Sequence, residues 1–367
     1  MRGHAGDDDP GRATVSANGG ASAGVLRGRP ILNTSHSLVG IIANPASGKD
    51  IRRLVAHATT VDNQEKVSIV RRVLVGLGAA GVQNVLLMPD TYRLGERALD
   101  GLSRVGQPLP QASVLEMPVT DGADDSELAA ALFREAGAGC IVVLGGDGTV
   151  RSVSKGAGEV PVLAISTGTN NVLPTFTEGT IAGLAAGAVA CQQVDLEAVA
   201  VRHKWLELVV NGLSRERALV DVAALSGSFV GSRAVWTIQD LRQVIVTRAD
   251  PASIGISAIP GVVRPVSVKE PVGLALTLSA QASWRVLAAI GPGIIDQVGI
   301  AAVQVIELGE QVPVDTHRPL VLALDGEREV VLFESDSAYL TLRADGPWIV
   351  DAWQTLQEMA RKDLFRH

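Results

Sequence analysis

Short apolar runs alternate with longer amphipathic stretches between residues 37 and 190, and few folds accommodate such an alternation. The runs cover residues 38–43, 84–88, 113–117, 140–144 and 160–165. Between them, residues 64–80 and 126–136 place their apolar side chains at the spacing of one helix face. Strands that are apolar throughout and separated by helices are typical of a parallel sheet covered on both faces. We therefore expect an α/β domain over residues 37–190.

After residue 191 the pattern changes to short strands in which polar and apolar residues alternate. They are predicted at residues 194–202, 205–210, 217–223, 272–278, 284–290, 299–307, 319–324, 329–334 and 338–343. Helical spacing interrupts them at residues 230–246 and returns at 348–365. Many strands with few helices predict a β-rich domain over residues 191–346, a sandwich or a barrel. We expect a C-terminal helix in residues 347–367 that packs back, and a disordered tail in residues 1–36.

The composition excludes several classes of protein. Of the 367 residues, 47% are hydrophobic, which is enough for two domains with aliphatic cores. Because only 3% are aromatic and the net charge is -7, nucleic acid is a poor partner. The two cysteines and six scattered histidines supply neither a disulfide framework nor a His/Cys metal site. No segment is apolar for long enough to cross a bilayer, and no secretory signal is present, so we expect a cytoplasmic protein without stable membrane insertion.

A glycine-rich loop follows the predicted strand at residues 140–144, and it reads Gly145-Gly146-Asp147-Gly148-Thr149. Glycines let the backbone approach a ligand closely or adopt positive φ, and the start of the next helix offers N–H groups to an anion. An aspartate at the tip can act as a base or hold a hydroxyl in line with a phosphate. The alternative is a tight turn in which Asp147 or Thr149 caps the helix. Taken alone, the loop favours neither interpretation.

Two further strand ends carry small and polar residues. The first is followed by Asn44, Ser47, Gly48 and Lys49, and the fifth by Gly168, Thr169, Asn170 and Asn171. The first loop suits anionic oxygens and the other suits hydroxyls or a base edge; the alternatives are a loop that only closes a strand and an asparagine that caps a helix. Since carboxyl ends of parallel strands meet at one edge of a sheet, we expect all three loops to share one ligand.

Cations near these loops are expected to balance a triphosphate in a protein of net charge -7. The candidates are Lys49, Arg52, Arg53, Arg151 and Lys155. A later motif, Asp325-Gly326-Glu327, lies between two apolar runs. Asp-Gly in this position favours a β-hairpin turn by about two to one, whereas a carboxylate pair also suits a divalent cation.

These four motifs, in this order, resemble those of the superfamily of NAD kinases, diacylglycerol kinases and sphingosine kinases. Over roughly residues 37–346 the chain is most similar to the acetoin catabolism protein X family. The resemblance implies an N-terminal Rossmann-like parallel-sheet domain that binds a nucleotide, a C-terminal β-sandwich domain and an active site in the cleft between them. It also implies ATP and Mg²⁺ as cofactors and a homo-oligomer.

The resemblance assigns roles to individual residues. Asp147 would activate the acceptor hydroxyl. The triphosphate would be lined by Gly145, Gly146, Gly148 and Thr149, with Asn44, Ser47, Gly48 and Lys49 as a second phosphate loop. A second nucleotide loop would comprise Gly168, Thr169, Asn170 and Asn171, of which the two asparagines would read the base. Asp325 and Glu327 would lie near the base and the metal. The acceptor pocket would be lined by Ser228, Ser232 and Arg233, for which an ordinary strand-loop-helix is an equal alternative.

These implications predict a Mg²⁺-dependent phosphotransferase that moves the γ-phosphoryl group of ATP to a hydroxyl acceptor. NAD is the leading named acceptor. However, the Thr-Gly-Ser-Thr-Ala-Tyr stretch of NAD kinases is absent, and the nearest sequence to their Asn-Glu pair is Leu206-Glu207. The alternatives are a lipid or small-metabolite kinase of the diacylglycerol-kinase type, and a non-catalytic regulator that senses a nucleotide.

Overall fold

The computed structural model describes residues 37–47, 61–102, 106, 108–168, 171–227 and 238–366, without the side chains of residues 328 and 329. The predicted tail, residues 1–36, lies outside the described residues, as do most of the cations predicted near the first loop. Within the described ranges, none of the helices combines the length and the hydropathy needed to cross a membrane.

The strands and helices of the described ranges are numbered in chain order. Strands β1 to β18 are Leu38–Ala43, Asn84–Leu87, Gln111–Val114, Cys140–Gly145, Val162–Ser166, Ala200–Arg202, Trp205–Val210, Leu213–Ala218, Asp221–Ser226, Leu241–Val246, Val272–Leu278, Arg285–Gly291, Ile294–Glu307, Gln311–Pro313, Leu320–Leu324, Glu327–Leu332, Ala338–Arg343 and Trp348–Val350. Helices α1 to α8 are Asn63–Ala79, Leu94–Leu99, Ala123–Glu135, Asp147–Ala157, Gly179–Ala190, Leu196–Val199, Ala258–Val263 and Ala352–Arg361. A 3₁₀ turn, Ile238–Asp240, precedes β10.

The first sheet has the strand order β3-β2-β1-β4-β5-β18-β6. Every neighbouring pair is parallel except β18 and β6. One face packs on α1, α5 and α8, and the other packs on α3 and α4. Apolar strands buried on both faces therefore form the predicted Rossmann-like parallel sheet.

Helix α5 shows how its Ala- and Gly-rich sequence determines packing. It lies against α1, and a Cβ atom added to Gly183 would be 2.2 Å from the carbonyl oxygen of Val73. A Cβ atom on Gly76 of α1 would be 2.3 Å from the carbonyl oxygen of Thr180. The two helix backbones approach so closely because both contact points are glycines.

The described residues from β7 to β17 form two antiparallel sheets, with the orders β12-β13-β11-β10-β9-β15-β16 and β14-β17-β7-β8. Their facing side chains make one apolar core, to which β7 and β17 contribute from the smaller sheet and β9 and β15 from the larger. The opposite face of the larger sheet packs on residues of α7. This arrangement confirms the β-sandwich.

Several predicted elements differ from the structure. The helix predicted over residues 230–246 is wrong where the chain is described, because Leu241–Val246 is strand β10. Its Val244 and Val246 enter one core and Ile245 the other, so a strand buried on both faces mimics helical spacing. The strand predicted at 217–223 is divided by a turn at residues 219–220, and residues 196–199 are helical. At the C-terminus, β18 precedes α8, which packs on the parallel sheet.

Candidate functional site

Side chains at the carboxyl ends of β1, β4 and β5 bond to one another. The Nδ2 atom of Asn44 donates to Oγ1 of Thr149 at 2.8 Å. Ser47 Oγ and Thr167 Oγ1 are also 2.8 Å apart. The first loop therefore contacts both of the others, and the structure brings together the three strand ends that the sequence singles out.

The glycine-rich loop begins helix α4. Gly146 is the N-cap, with φ of -110°, and no side chain caps the helix. None of its three glycines has a positive φ, so this part of the prediction is wrong. Close approach explains them instead: a Cβ atom on Gly145 would be 2.5 Å from Cβ of Thr149, and one on Gly148 would be 3.1 Å from Oε1 of Glu327. The loop thus leaves the helix N-terminus, an anion-binding element, without a side-chain cap.

Asp147 fixes the third loop in place. Its carboxylate accepts hydrogen bonds from the backbone N–H of Val172 at 2.9 Å and of Leu173 at 2.8 Å. The residue is only 7% exposed. Asp147 therefore joins the glycine-rich loop to the segment that follows Asn171, rather than capping its own helix.

Asn171 fills the space between two glycines. Its Nδ2 donates to Oγ of Ser166 at 2.6 Å. Its Oδ1 lies 2.9 Å and 2.7 Å from the points where Gly146 and Gly168 would carry Cβ atoms. The amide thus packs the loops together, and this geometry gives no support to base reading by Asn171. Outside the described residues lie the other predicted site residues Gly48, Lys49, Thr169, Asn170, Ser228, Ser232 and Arg233.

Lys66 lies beneath the first loop and was not singled out from the sequence. It is fully buried. Its Nζ donates to the carbonyl oxygens of Asn44 at 2.9 Å and Ser47 at 2.7 Å, and more weakly to that of Pro45 at 3.4 Å. A lysine near the start of a helix is disfavoured by the helix dipole. This unfavourable position in α1 is the sequence signal that could have identified Lys66.

Asp325 forms a tight hairpin turn with Gly326, with φ of 47° and 82°, as the hairpin interpretation predicts. Its carboxylate accepts from the backbone N–H of Leu219, Val220 and Asp221 at 3.0, 2.7 and 3.2 Å. Burial raises the pKa of Asp325, while Arg151 and the three N–H donors oppose that shift. This turn therefore ties β15–β16 to the turn between β8 and β9.

Two of the predicted triphosphate cations have other partners. Arg151 is buried, with Nε 3.5 Å from Oδ2 of Asp325 and Nη1 3.8 Å from Oε2 of Glu216. Lys155 donates to Oε2 of Glu216 at 2.7 Å. In this structure carboxylates of the antiparallel region neutralise both residues, and their contact with a triphosphate stays a prediction. Their contacts hold α4 against that region.

A bound Mg²⁺ at Asp325 does not fit this geometry. Its carboxylate is engaged by three N–H groups and Arg151, whereas a magnesium ligand needs oxygen atoms directed at the ion. Glu327, the second predicted ligand, lies against Gly148. Among the residues that the structure describes, no group of three or more His, Cys, Asp or Glu could hold a metal.

A small cavity of about 30 Å³ lies where the two regions meet. Asp147 and Val172 line it from the parallel-sheet side. The antiparallel side contributes Asp221, Ile254, Gly255, Ile256, Ser257, Ile290, Asp325 and Gly326. Its volume admits a group of one or two heavy atoms. None of the site residues predicted from the sequence is one of these isoleucines or Asp221.

Comparison with known proteins agrees with this architecture. Residues 39–193 match the family model of the ATP-NAD kinase N-terminal domain, and residues 204–345 match that of the acetoin catabolism protein X C-terminal domain. Acetoin catabolism protein X of Cupriavidus necator is 38% identical over 338 residues, which is 90% of this chain and 94% of that protein. The chain belongs to the acetoin catabolism protein X family.

The NAD kinase-like fold is confirmed by a solved structure. Yeast NADH kinase complexed with NADH superposes with a TM-score of 0.50 at 15% identity, covering 90% of this chain and 88% of that one. At this identity the likeness concerns the fold alone. The resemblance inferred from the four motifs is thus confirmed at the level of family and fold.

Proposed function

We propose that this acetoin catabolism protein X homologue is a phosphotransferase that moves a phosphoryl group from ATP to a hydroxyl acceptor. The observation that carries the proposal is the position of Asp147, which begins α4 and also lines the cavity between the two regions. A carboxylate there can orient a hydroxyl toward a phosphate held at the helix N-terminus. Membership in the NAD kinase-like superfamily supports the same reaction class.

The donor site in this proposal is the edge where the three loops meet. The uncapped N–H groups at the start of α4 supply the anion-binding element. Asn44 donates to Thr149 in the first turn of that helix, and Ser47 bonds to Thr167 after β5, so the first loop is joined to both other strand ends. When bound, Mg²⁺ would neutralise phosphate charge; Glu327 is the described carboxylate beside the loop that is available for that role in the proposal.

The cavity supports an uncharged acceptor ahead of NAD. Three of its residues are aspartates, namely Asp147, Asp221 and Asp325. The charge of Asp325 is countered by Arg151, but the carboxylates of Asp147 and Asp221 can accept hydrogen bonds from a hydroxyl group and would repel the pyrophosphate of a dinucleotide. The cavity of about 30 Å³ has room for the hydroxyl group and the carbon atom that carries it, and the isoleucines lie beside them. Within the proposal, a small hydroxyl-bearing metabolite is therefore the first acceptor class, and NAD and lipids are the alternatives.

One observation favours a second candidate, a regulator that binds a nucleotide without turnover. Asp147 holds Val172 and Leu173 through hydrogen bonds that a protein without activity would also need. The presence of this aspartate therefore does not by itself establish catalysis.

A phosphoryl-transfer screen tests both candidates. The purified protein is incubated with radiolabelled ATP and Mg²⁺ against small polyols and hydroxyketones, NAD, NADH and diacylglycerol. Transfer to an uncharged small molecule supports the proposal, and transfer to a pyridine nucleotide alone would reverse our order of acceptors. Nucleotide binding without transfer to any acceptor would favour the regulator.

A further inference from the structure

The buried ammonium group of Lys66 supports the first loop of the site. Lys66 lies near the start of α1 with none of its side chain exposed. Burying an ammonium group costs free energy unless polar partners replace water. Here the partners of the ammonium group include three backbone carbonyl oxygens of the first loop and Oδ1 of Asn63 at 3.3 Å.

These contacts determine which way the loop faces. The carbonyl oxygens of Asn44, Pro45 and Ser47 point toward the ammonium and therefore inward. Carbonyl oxygens carry partial negative charge, and an anionic ligand on the outer side is spared their repulsion. Lys66 thus orients the loop so that it presents its less negative side outward.

The same loop supports the other two. Asn44 donates to Thr149 at the start of α4, and Ser47 bonds to Thr167 after β5. A displacement of the first loop would therefore move the polar side chains of all three strand ends. One buried ammonium group stabilises the whole edge.

We propose that Lys66 is a positioning residue for the polyphosphate of the donor nucleotide. This inference rests on the proposed function for the identity of the ligand. Lys66 acts by holding the loop of Asn44 and Ser47 in its binding conformation, without itself touching the ligand.

The chain contains a matched control for this test. Lys204 is also buried, and its Nζ donates to the carbonyl oxygens of Ser267, Glu270 and Val272 at 3.2, 2.6 and 2.5 Å. Those carbonyls belong to the first residue of β11 and the segment before it, and none of the three residues lines the described cavity. Lys66→Met and Lys204→Met therefore remove the same type of group from a candidate site and from a structural contact.

The experiment measures the Kd of AMP-PNP and of adenosine by calorimetry for both variants and the unsubstituted protein, with thermal unfolding as a record of stability. We expect Lys66→Met to raise the Kd of AMP-PNP about tenfold, which is about one unit of log Kd. The Kd of adenosine should change by less than about twofold, because that ligand lacks phosphate. Lys204→Met should leave both constants within about twofold even where it lowers Tm.

Arginine variants keep the test decisive if a methionine variant does not fold. Lys66→Arg retains the charge, but its planar guanidinium cannot reproduce the three contacts, so we expect a rise of about threefold in the Kd of AMP-PNP relative to Lys204→Arg. Equal Kd values for the variants at the two positions would overturn the role of Lys66. Binding without phosphoryl transfer would defeat the proposed function and leave the Lys66 comparison readable, whereas no binding of AMP-PNP by the unsubstituted protein overturns both.

Discussion

Asp147 and Asp325 line the same cavity from opposite regions of the molecule, and their surroundings are alike in most respects. Each stands beside glycine, is buried, and accepts backbone N–H hydrogen bonds from another segment. They differ in what else they contact. Asp325 lies in a hairpin turn against the guanidinium group of Arg151, whereas Asp147 begins a helix at the edge of the parallel sheet. Burial and backbone hydrogen bonds therefore do not distinguish Asp147, the catalytic residue of our proposal, from Asp325; their positions in the fold do.

Among the variants that test this comparison, we expect the largest effect on the rate of phosphoryl transfer. Asp147→Ala should lower the transfer rate about 10³-fold if this carboxylate orients the acceptor, in the range of general-base removal. Nucleotide binding should stay within about threefold, measured by calorimetry. The matched control is Asp125→Ala, because Asp125 is also 7% exposed and accepts from the N–H groups of Thr120 and Asp121. An Asp147→Ala protein as active as that control would end the catalytic assignment.

The next effect is on stability. Asp325→Asn removes the nearer of the two carboxylates beside the buried Arg151 and leaves only Glu216 at 3.8 Å, and breaking a buried ion pair from one side costs about 3–5 kcal/mol. We expect urea unfolding to show a loss in that range, larger than the loss in Asp147→Ala. Changing Arg151 to Met in the same chain should restore part of the stability. If Asp147→Ala proves the more destabilising of the two, the distinction between the two aspartates is reversed.

A third group, His203, makes the stability depend on pH, and this dependence can be measured separately from the effects of the two aspartates. His203 connects β6 to β7, and its burial, with Arg248 and Lys204 nearby, lowers its pKa from 6.5 to about 3. Between these values the unfolded chain binds a proton that the folded protein does not, so stability falls as the pH falls. The loss should reach about 2 kcal/mol at pH 5 relative to pH 8.

His203→Gln is the variant that checks this assignment by urea unfolding at both pH values. It should remove most of the acid sensitivity, and it should do so equally in the Asp147→Ala and Asp325→Asn backgrounds. An unchanged pH dependence in His203→Gln would contradict the assignment of the acid response to His203.

The smallest expected effect concerns the contact between Gly148 of α4 and Glu327 of β16. In Gly148→Ala the new Cβ would be 3.1 Å from Oε1 of Glu327, which is the flexible end of a side chain. Glu327 can move by a few tenths of an ångström, so we expect a stability change below about 1 kcal/mol, partly offset by the helix propensity of alanine. A rise of about threefold in nucleotide Kd would show that the glycine serves ligand approach rather than folding. An unchanged Kd would contradict that use of Gly148.

Much of the fold follows from patterns that short segments carry by themselves. The strands Leu38–Ala43, Trp205–Val210, Val272–Leu278 and Ala338–Arg343 begin and end where apolar periodicity predicts. Strand β10 could not be recognised in this way, because its two faces enter two different cores. The strand β18 was missed because a three-residue strand has no period of its own, and only pairing with β5 and β6 defines it.

The candidate site, like the fold, has a part that local sequence patterns predict and a part that they do not. Loops at strand ends could be predicted, since glycine, asparagine and aspartate have strong local preferences there. The contacts of Lys66, Asp221 and Arg151 depend on segments distant in sequence, which local patterns do not encode. Because Arg151 is a cation close to a motif, we predicted that it binds a ligand. In the structure it lies opposite Asp325, which is a structural partner.

The place of β18 has a consequence for biosynthesis. This strand lies between β5 and β6 in the parallel sheet, although both antiparallel sheets are encoded before it. A ribosome must therefore release the whole sandwich before β6 can join the first sheet through β18. The nucleotide-binding half in our proposal is the first to be translated and the last to be completed, so its sheet closes only after synthesis has reached residues 348–350.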